Sequence, residues 1–382
     1  MRKLGLLRGL AVLAIVVNHA ADNTMFVLSF WGPRAASLDS AADRSWADTS
    51  IYFLLLGLSQ LGWFTVPAFL FASGFYVAYA SRGRAANLKP RILGGWIRNL
   101  LSPYLTWILA SIALYLVVTA LGPGGTPKAL QGLGGYIEGR ALGEYYYVPL
   151  LVGLLVASPL LVWAACKSPL ALLGASALVM LAFTVQQVPN YGAAKILQTL
   201  DFLGLWTGLT SCSWKLSFDL GLLFFFVMGL VAGNRYEAFQ RHLTAWRWPL
   251  TILAVALLPL SMVEADVAFR SEETRWLPMS WSLAPFLYSI AVIMAIFAWK
   301  WRRGRLERVL DQLGAQSYGI YLMQFVAIEY TLKLVYHAAR PLLAQPLLLL
   351  PLFLAAALGV PLLTIVVVSK SPLRRHYRLV LG

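Results

Sequence analysis

The sequence predicts an all-α membrane protein, a polytopic bundle of about ten transmembrane helices with both termini on the cytoplasmic side. Three observations carry that prediction. Of the 382 residues, 59% are hydrophobic and only 12% charged, about half the charged share of an ordinary soluble domain. Mean hydropathy is +0.70, and the apolar residues come in blocks of about 20, the length that crosses a bilayer. The basic residues concentrate in alternate connections between those blocks, as positive-inside orientation requires. This composition excludes a secreted toxin, a soluble Rossmann enzyme and a nucleic-acid-binding domain. The +15 charge balance reports orientation and attraction to anionic lipid instead.

In chain order the expected spans are 6–28, 51–80, 99–121, 146–166, 168–188, 218–234, 249–265, 280–299, 315–337 and 346–368. An even number places both termini on one side. That side then holds Arg2, Lys3 and Arg8; Arg82, Arg84, Lys89, Arg91 and Arg98; Lys167; Arg235, Arg241 and Arg247; Lys300, Arg302, Arg303, Arg305 and Arg308; and Lys370, Arg374, Arg375 and Arg378. Of the 16 acids only Glu237, Glu307 and Asp311 fall there, so it reads as cytoplasmic and the protein as one of the inner (plasma) membrane. A single missed helix would have inverted every connection downstream of it.

The opening segment begins like a signal peptide, with basic Met1–Arg8 before apolar Gly9–Val17. Asn18 is a poor residue three before a cut after Ala20, and Met25–Trp31 continues the apolar run, so the segment reads as a first span. Three connections, 29–50, the glycine-rich 122–145 and 189–217, are expected as outer loops, either functional or plain connectors. Cys166 and Cys212 fall on opposite faces and are not expected to pair. His19, His242, His337 and His376 are too scattered for a metal site. One membrane domain, 1–382, is expected, with no added soluble domain.

The first chemical signal is the stretch RGLAVLAIVVNHAAD, in which His19 follows Arg8 by eleven positions. Eleven steps of about 100° return to within about 20° of the same helix face, with His19 about 16 Å deeper. Asp22, three residues on, lies within reach of it. An ionisable group at that depth costs about 2.5–3.5 kcal/mol, so the Asn18-His19-x-x-Asp22 cluster should face a cavity inside the bundle. Histidine, ordinarily titrating near 6.5, is suited to general-base work; the alternative is a hydrogen bond between helices for packing alone.

The second signal is SRGRAANLKPRILGGWIR (81–98). Its arginines match phosphate geometry in a bidentate fork, although positive-inside orientation alone also demands a basic loop there. The run KWRRGRLER (300–308) reads as a solvated anchor. The third is the ninth span, where Gln324 lies at about the depth of His19, followed by Glu329 and Lys333 in the favourable i, i+4 order. These two read either as a pair lining an outward cavity or as a lysine snorkelling to the interface beside a carboxylate.

Six segments in order resemble the acyltransferase family 3 of bacterial membrane proteins. They are LRGLAVLAIVVNHA, VPAFLFASGFYVAY with its Ser73-Gly74-Phe75, IRNLLSPYLTW, YYYVPLLVGLLVASPLL, FFFVMGLVAGN and LGAQSYGIYLMQ. The resemblance implies transfer of an acyl group, by family default acetyl, from cytoplasmic acyl-coenzyme A to a hydroxyl of a sugar or other acceptor. It makes His19 the essential histidine, as general base or as transient carrier of the acyl group, and Arg8 its motif partner; Asp22 is the neighbour that helix spacing offers to orient the imidazole. It also offers Arg91 and Arg98, with Arg82 and Arg84 upstream, as donor-binding candidates; Gln324 and Glu329 are pocket-lining candidates. Two departures stand out: Gln324 occupies a position where the family commonly carries histidine, and Asn99–Ser102 separate Arg98 from Pro103-Tyr104.

The expected partners are therefore the bilayer, acyl-coenzyme A as a substrate, and a glycan or other hydroxylated acceptor. No nucleic acid, metal or permanently bound cofactor is expected, and oligomeric state is open. A competing class is a multi-span transporter or exporter, since carriers also bind at midplane polar clusters; no paired halves with matching Gly/Pro-broken helices support it. A purely structural envelope subunit is a second rival, disfavoured by a buried His and Asp that packing does not need.

Overall fold

The computed structural model describes residues 2–31, 45–122, 125–186, 214–271, 282–301, 304–380 and 382. Of these, 91% are helical and none forms a strand. The chain divides into two compact units: Met1–Leu88 with Ala157–Gly314, and Lys89–Val156 with Ala315–Gly382.

The first unit opens with α1 (Arg2–Trp31), one uninterrupted helix through the stretch with a signal-peptide-like start. Next come α2 (Ser50–Leu61) and α3 (Thr65–Ser81). Thr49 caps α2, its hydroxyl accepting the Tyr52 N–H at 3.2 Å. The break at Gly62-Trp63-Phe64 divides what reads as one apolar run. A side chain at Gly62 would collide with Asn18 and the Ala14 carbonyl of α1, so the break lets α1 lie against backbone.

In the second unit α4 (Pro90–Ala120) starts on Pro90, which needs no hydrogen-bond partner for its nitrogen in a first turn. The glycine-rich connection expected as a loop is instead helical: α5 (Gly125–Glu138) runs into a π-helical turn, Gly139–Glu144. Of its glycines, Gly132 serves packing. A Cβ at Gly132 would strike the Tyr115 hydroxyl, and Tyr115 of α4 stacks on Tyr136 of α5 with ring centroids 4.2 Å apart.

The chain continues through α6 (Tyr147–Lys167), α7 (Pro169–Gln186), α8 (Trp214–Asn234), α9 (Tyr236–Ala245), α10 (Arg247–Ser271), α11 (Leu283–Ala298), α12 (Arg305–Ala338) and α13 (Pro346–Lys370). Helix α9 bends 103° from α8. Prolines lie inside α4, α6, α10 and α13, as membrane helices tolerate more often than soluble ones.

Six stretches are long and apolar enough to cross a membrane: Arg2–Phe30, Ser50–Ser81, Pro90–Ala120, Tyr147–Lys167, Arg247–Arg270 and Pro346–Lys370. The bent pair Leu220–Asn234 and Tyr236–Ala245 makes up to seven, and Pro169–Thr184 and Leu283–Ala298 are shorter apolar helices. Of the ten expected spans, 51–80 is divided between α2 and α3, and the other nine each overlap a single helix. Helix α12 is the most polar of these segments, with Glu307, Asp311, Glu329 and Lys333 and the amides of Gln312, Gln316 and Gln324 along its length. The segment 189–217 lies largely outside the described residues, as does Cys212; Cys166 is a free, exposed thiol whose sulfur lies 2.9 Å from the Gly83 carbonyl.

The first unit's core is built on glycine contacts. A Cβ at Gly74 of α3 would meet the Phe226 carbonyl, and one at Gly229 of α8 would meet the Phe71 carbonyl. The two helices thus cross backbone on backbone, as small residues permit in membranes. Around the crossing Phe71, Phe225, Phe226 and Phe297 are fully buried, and Phe71 meets Phe297 edge-on at 5.2 Å. Gly5 and Gly9 of α1 form a second such contact with Leu310, Asp311 and Gly314 of α12. Replacing Gly229 with valine is expected to force α3 and α8 apart and cost about 3 kcal/mol, read as a lowered thermal midpoint in detergent. An unchanged midpoint would show that the crossing is not tight.

Candidate active site

In the first unit α1 carries the predicted cluster. His19 and Asp22 are half-buried and Asn18 is buried. The α2 segment ending at the Gly62 break brings Ser59 and Gln60 against them, both fully buried. Asn18 donates from Nδ2 to the Ser59 carbonyl at 2.8 Å, and Asp22 takes a hydrogen bond from the Ser59 side chain. Ser261 of α10 donates to Gln60 Oε1 at 2.6 Å. Asn23 donates to the His19 carbonyl at 2.8 Å, fixing the backbone beneath the imidazole. His19 Nδ1 lies away from solvent. An imidazole, a carboxylate and a hydroxyl thus share one seam, a set able to move a proton in a water-poor setting.

Arg8 is half-buried between Gly5 and Gly9, where α1 meets α12. Arg82 and Arg84 are exposed. Arg82 closes α3 with φ +48°, the one positive-φ residue other than glycine among those described. An arginine held in this left-handed region costs about 1–2 kcal/mol that glycine would not. Gly83 follows with φ +71°.

Arg91 and Arg98 belong to the second unit, exposed in the first turns of α4. Gln324 is fully buried there, with neither end of its amide hydrogen-bonded among the described residues. The Tyr321-Leu322 just before it is clamped to the π-helical turn: Tyr321 donates to the Glu144 carbonyl at 3.0 Å and Tyr145 to the Leu322 carbonyl at 2.5 Å.

Glu329 and Lys333 form the predicted pair, Nζ to Oε1 at 2.6 Å, but as part of a larger network that the sequence did not announce. Arg140, only 3% exposed at its side chain, forms ion pairs with both Glu144 and Glu329. Its guanidinium also donates to the Tyr136 hydroxyl at 3.0 Å and sits over the rings of Tyr136 and Tyr145. Burial pushes both tyrosine hydroxyls above their ordinary range and keeps them protonated. The signal that points to Arg140 is a single arginine inside a stretch of glycines, flanked by Tyr136 and Glu144 at i−4 and i+4.

The first unit of this multi-pass helical membrane protein thus sets an imidazole, a carboxylate and a hydroxyl along one seam. The model of the acyltransferase family 3, described as an acyltransferase domain, matches residues 1–366, and the chain belongs to that family. Comparison with curated proteins and with solved structures gives no match.

Proposed function

We propose that the protein is an O-acyltransferase of the inner membrane, crossing it about ten times with both termini in the cytoplasm. Its donor is acyl-coenzyme A, acetyl by family default, and its acceptor is a hydroxyl of a cell-envelope glycan or another acceptor reached from the outer side. The observation that carries this reading is the seam of His19, Asp22, Asn18 and Ser59 in a chain of this family.

His19 takes the proton of the acceptor hydroxyl as its oxygen attacks the thioester carbonyl. The carbon–sulfur bond then breaks, and the coenzyme leaves as a thiolate that recovers the proton from the imidazolium. Asp22 orients the imidazole. For the donor's phosphates, Arg8, Arg82 and Arg84 are the first unit's candidates, and Arg91 and Arg98 the second's.

The test supplies the purified protein in lipid nanodiscs with acetyl-coenzyme A labelled in the acetyl group. Release of free thiol, with label passing to hydroxyl compounds of an envelope extract, is expected. Absence of both thiol release and coenzyme A binding turns the reading to a transporter.

A further inference from the structure

The end of the first unit where the N terminus lies carries a second cluster, apart from the His19 seam. We infer that it binds an anionic phospholipid, whose phosphate sits between Arg247 and Lys300 and whose chains run down the exposed face of α10. The inference stands on this unit alone and does not need the acyltransferase reading.

The cluster is assembled by the turn out of α8. Helix α9 leaves α8 at 103°, so it lies across the end of that helix instead of continuing it. Its inner side is held in place: Tyr236 meets Phe75 edge-on at 5.5 Å, Phe239 meets Phe297 at 5.9 Å, and Gln240 donates to the Phe297 carbonyl at 2.9 Å. Arg241 and His242 are exposed on its other side. A helix divided in this way lies in the plane of the membrane interface. It delivers the chain to α10, whose first residues close on the C-terminal end of α11. The Arg247 guanidinium sits over the Trp299 ring at 5.6 Å, and Trp248 meets the same ring edge-on at 5.0 Å. Trp299 is itself fixed, donating from Nε1 to Thr251 Oγ1 at 3.0 Å. Arg247 and Lys300, from different helices, thus flank one anchored indole.

Charge selects an anion. Arg247 and Lys300 are exposed, and neither forms an ion pair among the described residues. The acids at this end are placed elsewhere: Glu307 pairs with Arg2, Asp311 lies against Gly5 of α1, and Glu237 is exposed on α9. Lys3 is spent on the Phe297 carbonyl at 2.5 Å and lies close enough to Lys300 for the two charges to repel. A phosphate relieves that repulsion, and the positive end of α10, which starts at Arg247, favours it further. Positive-inside orientation would be served equally by the same cations scattered; it does not require them gathered around one ring.

The surroundings select a lipid over a soluble phosphate. Trp246 and Trp248 are 62% and 56% exposed, and indoles so placed on a membrane protein belong at headgroup depth. Trp248, Ile252 and Val255, all exposed, follow at helical spacing along one face of α10, a helix long and apolar enough to cross the membrane. Cation, indole and aliphatic surface therefore succeed one another in the order of headgroup, glycerol and acyl chain.

The experiment is native mass spectrometry of the full chain, released from micelles holding dioleoyl phosphatidylglycerol and dioleoyl phosphatidylcholine in equal amounts. The wild type is expected to retain the phosphatidylglycerol preferentially. Arg247→Gln and Lys300→Gln should each weaken its retention about fivefold, and the pair about 25-fold, the contribution of one and two cations at an anionic headgroup. Phosphatidylcholine retention should not move. Arg374→Gln with Arg375→Gln, which removes the same charge from exposed residues of the second unit, should leave the preference in place. Equal retention of the two lipids by the wild type, a preference that survives the Arg247 and Lys300 pair, or an equal loss in the Arg374 and Arg375 pair overturns the inference. Displacement of the phosphatidylglycerol by inorganic phosphate or coenzyme A also overturns it, assigning the cluster to a soluble phosphate. None of these readouts uses thiol release, so the acyltransferase reading stands or falls separately.

Discussion

Replacing His19 with alanine is expected to slow thiol release from acetyl-coenzyme A by about 10²–10⁴-fold, the contribution of a positioned general base, while the helical fold persists. The fold should persist because the interactions that hold this part of α1 do not pass through the imidazole alone. Asn23 bonds the carbonyl of residue 19, which alanine retains. Asn18 reaches Ser59 from its own side chain, and the Gly62 contact with Ala14 and Asn18 is untouched. The variant should therefore keep its circular dichroism spectrum and its thermal midpoint within about 1 kcal/mol of the wild type, the range of substitutions that create no large cavity. Release within threefold of the wild type would remove His19 from the reaction, whatever the family suggests.

The second large effect is expected on stability. Arg140→Leu should destabilise the protein by about 3 kcal/mol, the low end for breaking a buried ion pair, because both carboxylates keep some exposure. The loss comes from Glu144 and Glu329 left facing each other beside Tyr136 without a cation, more than from the attraction removed. Arg140→Lys should recover only part of it, since an ammonium cannot present the fork that engages two carboxylates and a hydroxyl at once. The combined change Arg140→Leu, Glu144→Gln, Glu329→Gln should recover more than the lysine, because it removes the stranded charges. Unfolding midpoints in mixed micelles decide the matter. A single leucine variant within about 1 kcal/mol of the wild type would show that the carboxylates are freely hydrated without their partner.

Much of this protein was legible along the chain because the bilayer imposes local rules. Apolar blocks of membrane length and basic residues in alternate connections are both read from near neighbours. So is the Arg8, His19, Asp22 alignment, which follows from helix period alone. The Glu329–Lys333 contact followed from i, i+4 spacing in the same way, and the structure forms it. The glycine-rich 122–145 stretch failed as a loop for a specific reason. Glycine lowers helix propensity locally, but at 132 it is there to admit the Tyr115 hydroxyl, a partner on another helix.

The sequence alone determined the class, a helical membrane protein of an acyltransferase kind with a polar residue cluster partway along its first helix. Only the tertiary structure decided what that cluster touches and where the chain breaks. Ser59 reaches Asn18 and Asp22, and Glu329 reaches Arg140, across 41, 37 and 189 positions of sequence. Gly74 and Gly229 carry no mark in sequence of the helix that each admits, yet each lies against a carbonyl of the other's helix. The physical reason is common to all of them. Hydrophobic period and charge are properties of a segment and its solvent. A hydrogen bond, an ion pair or a backbone crossing belongs to two segments, and its partner is chosen only when they pack.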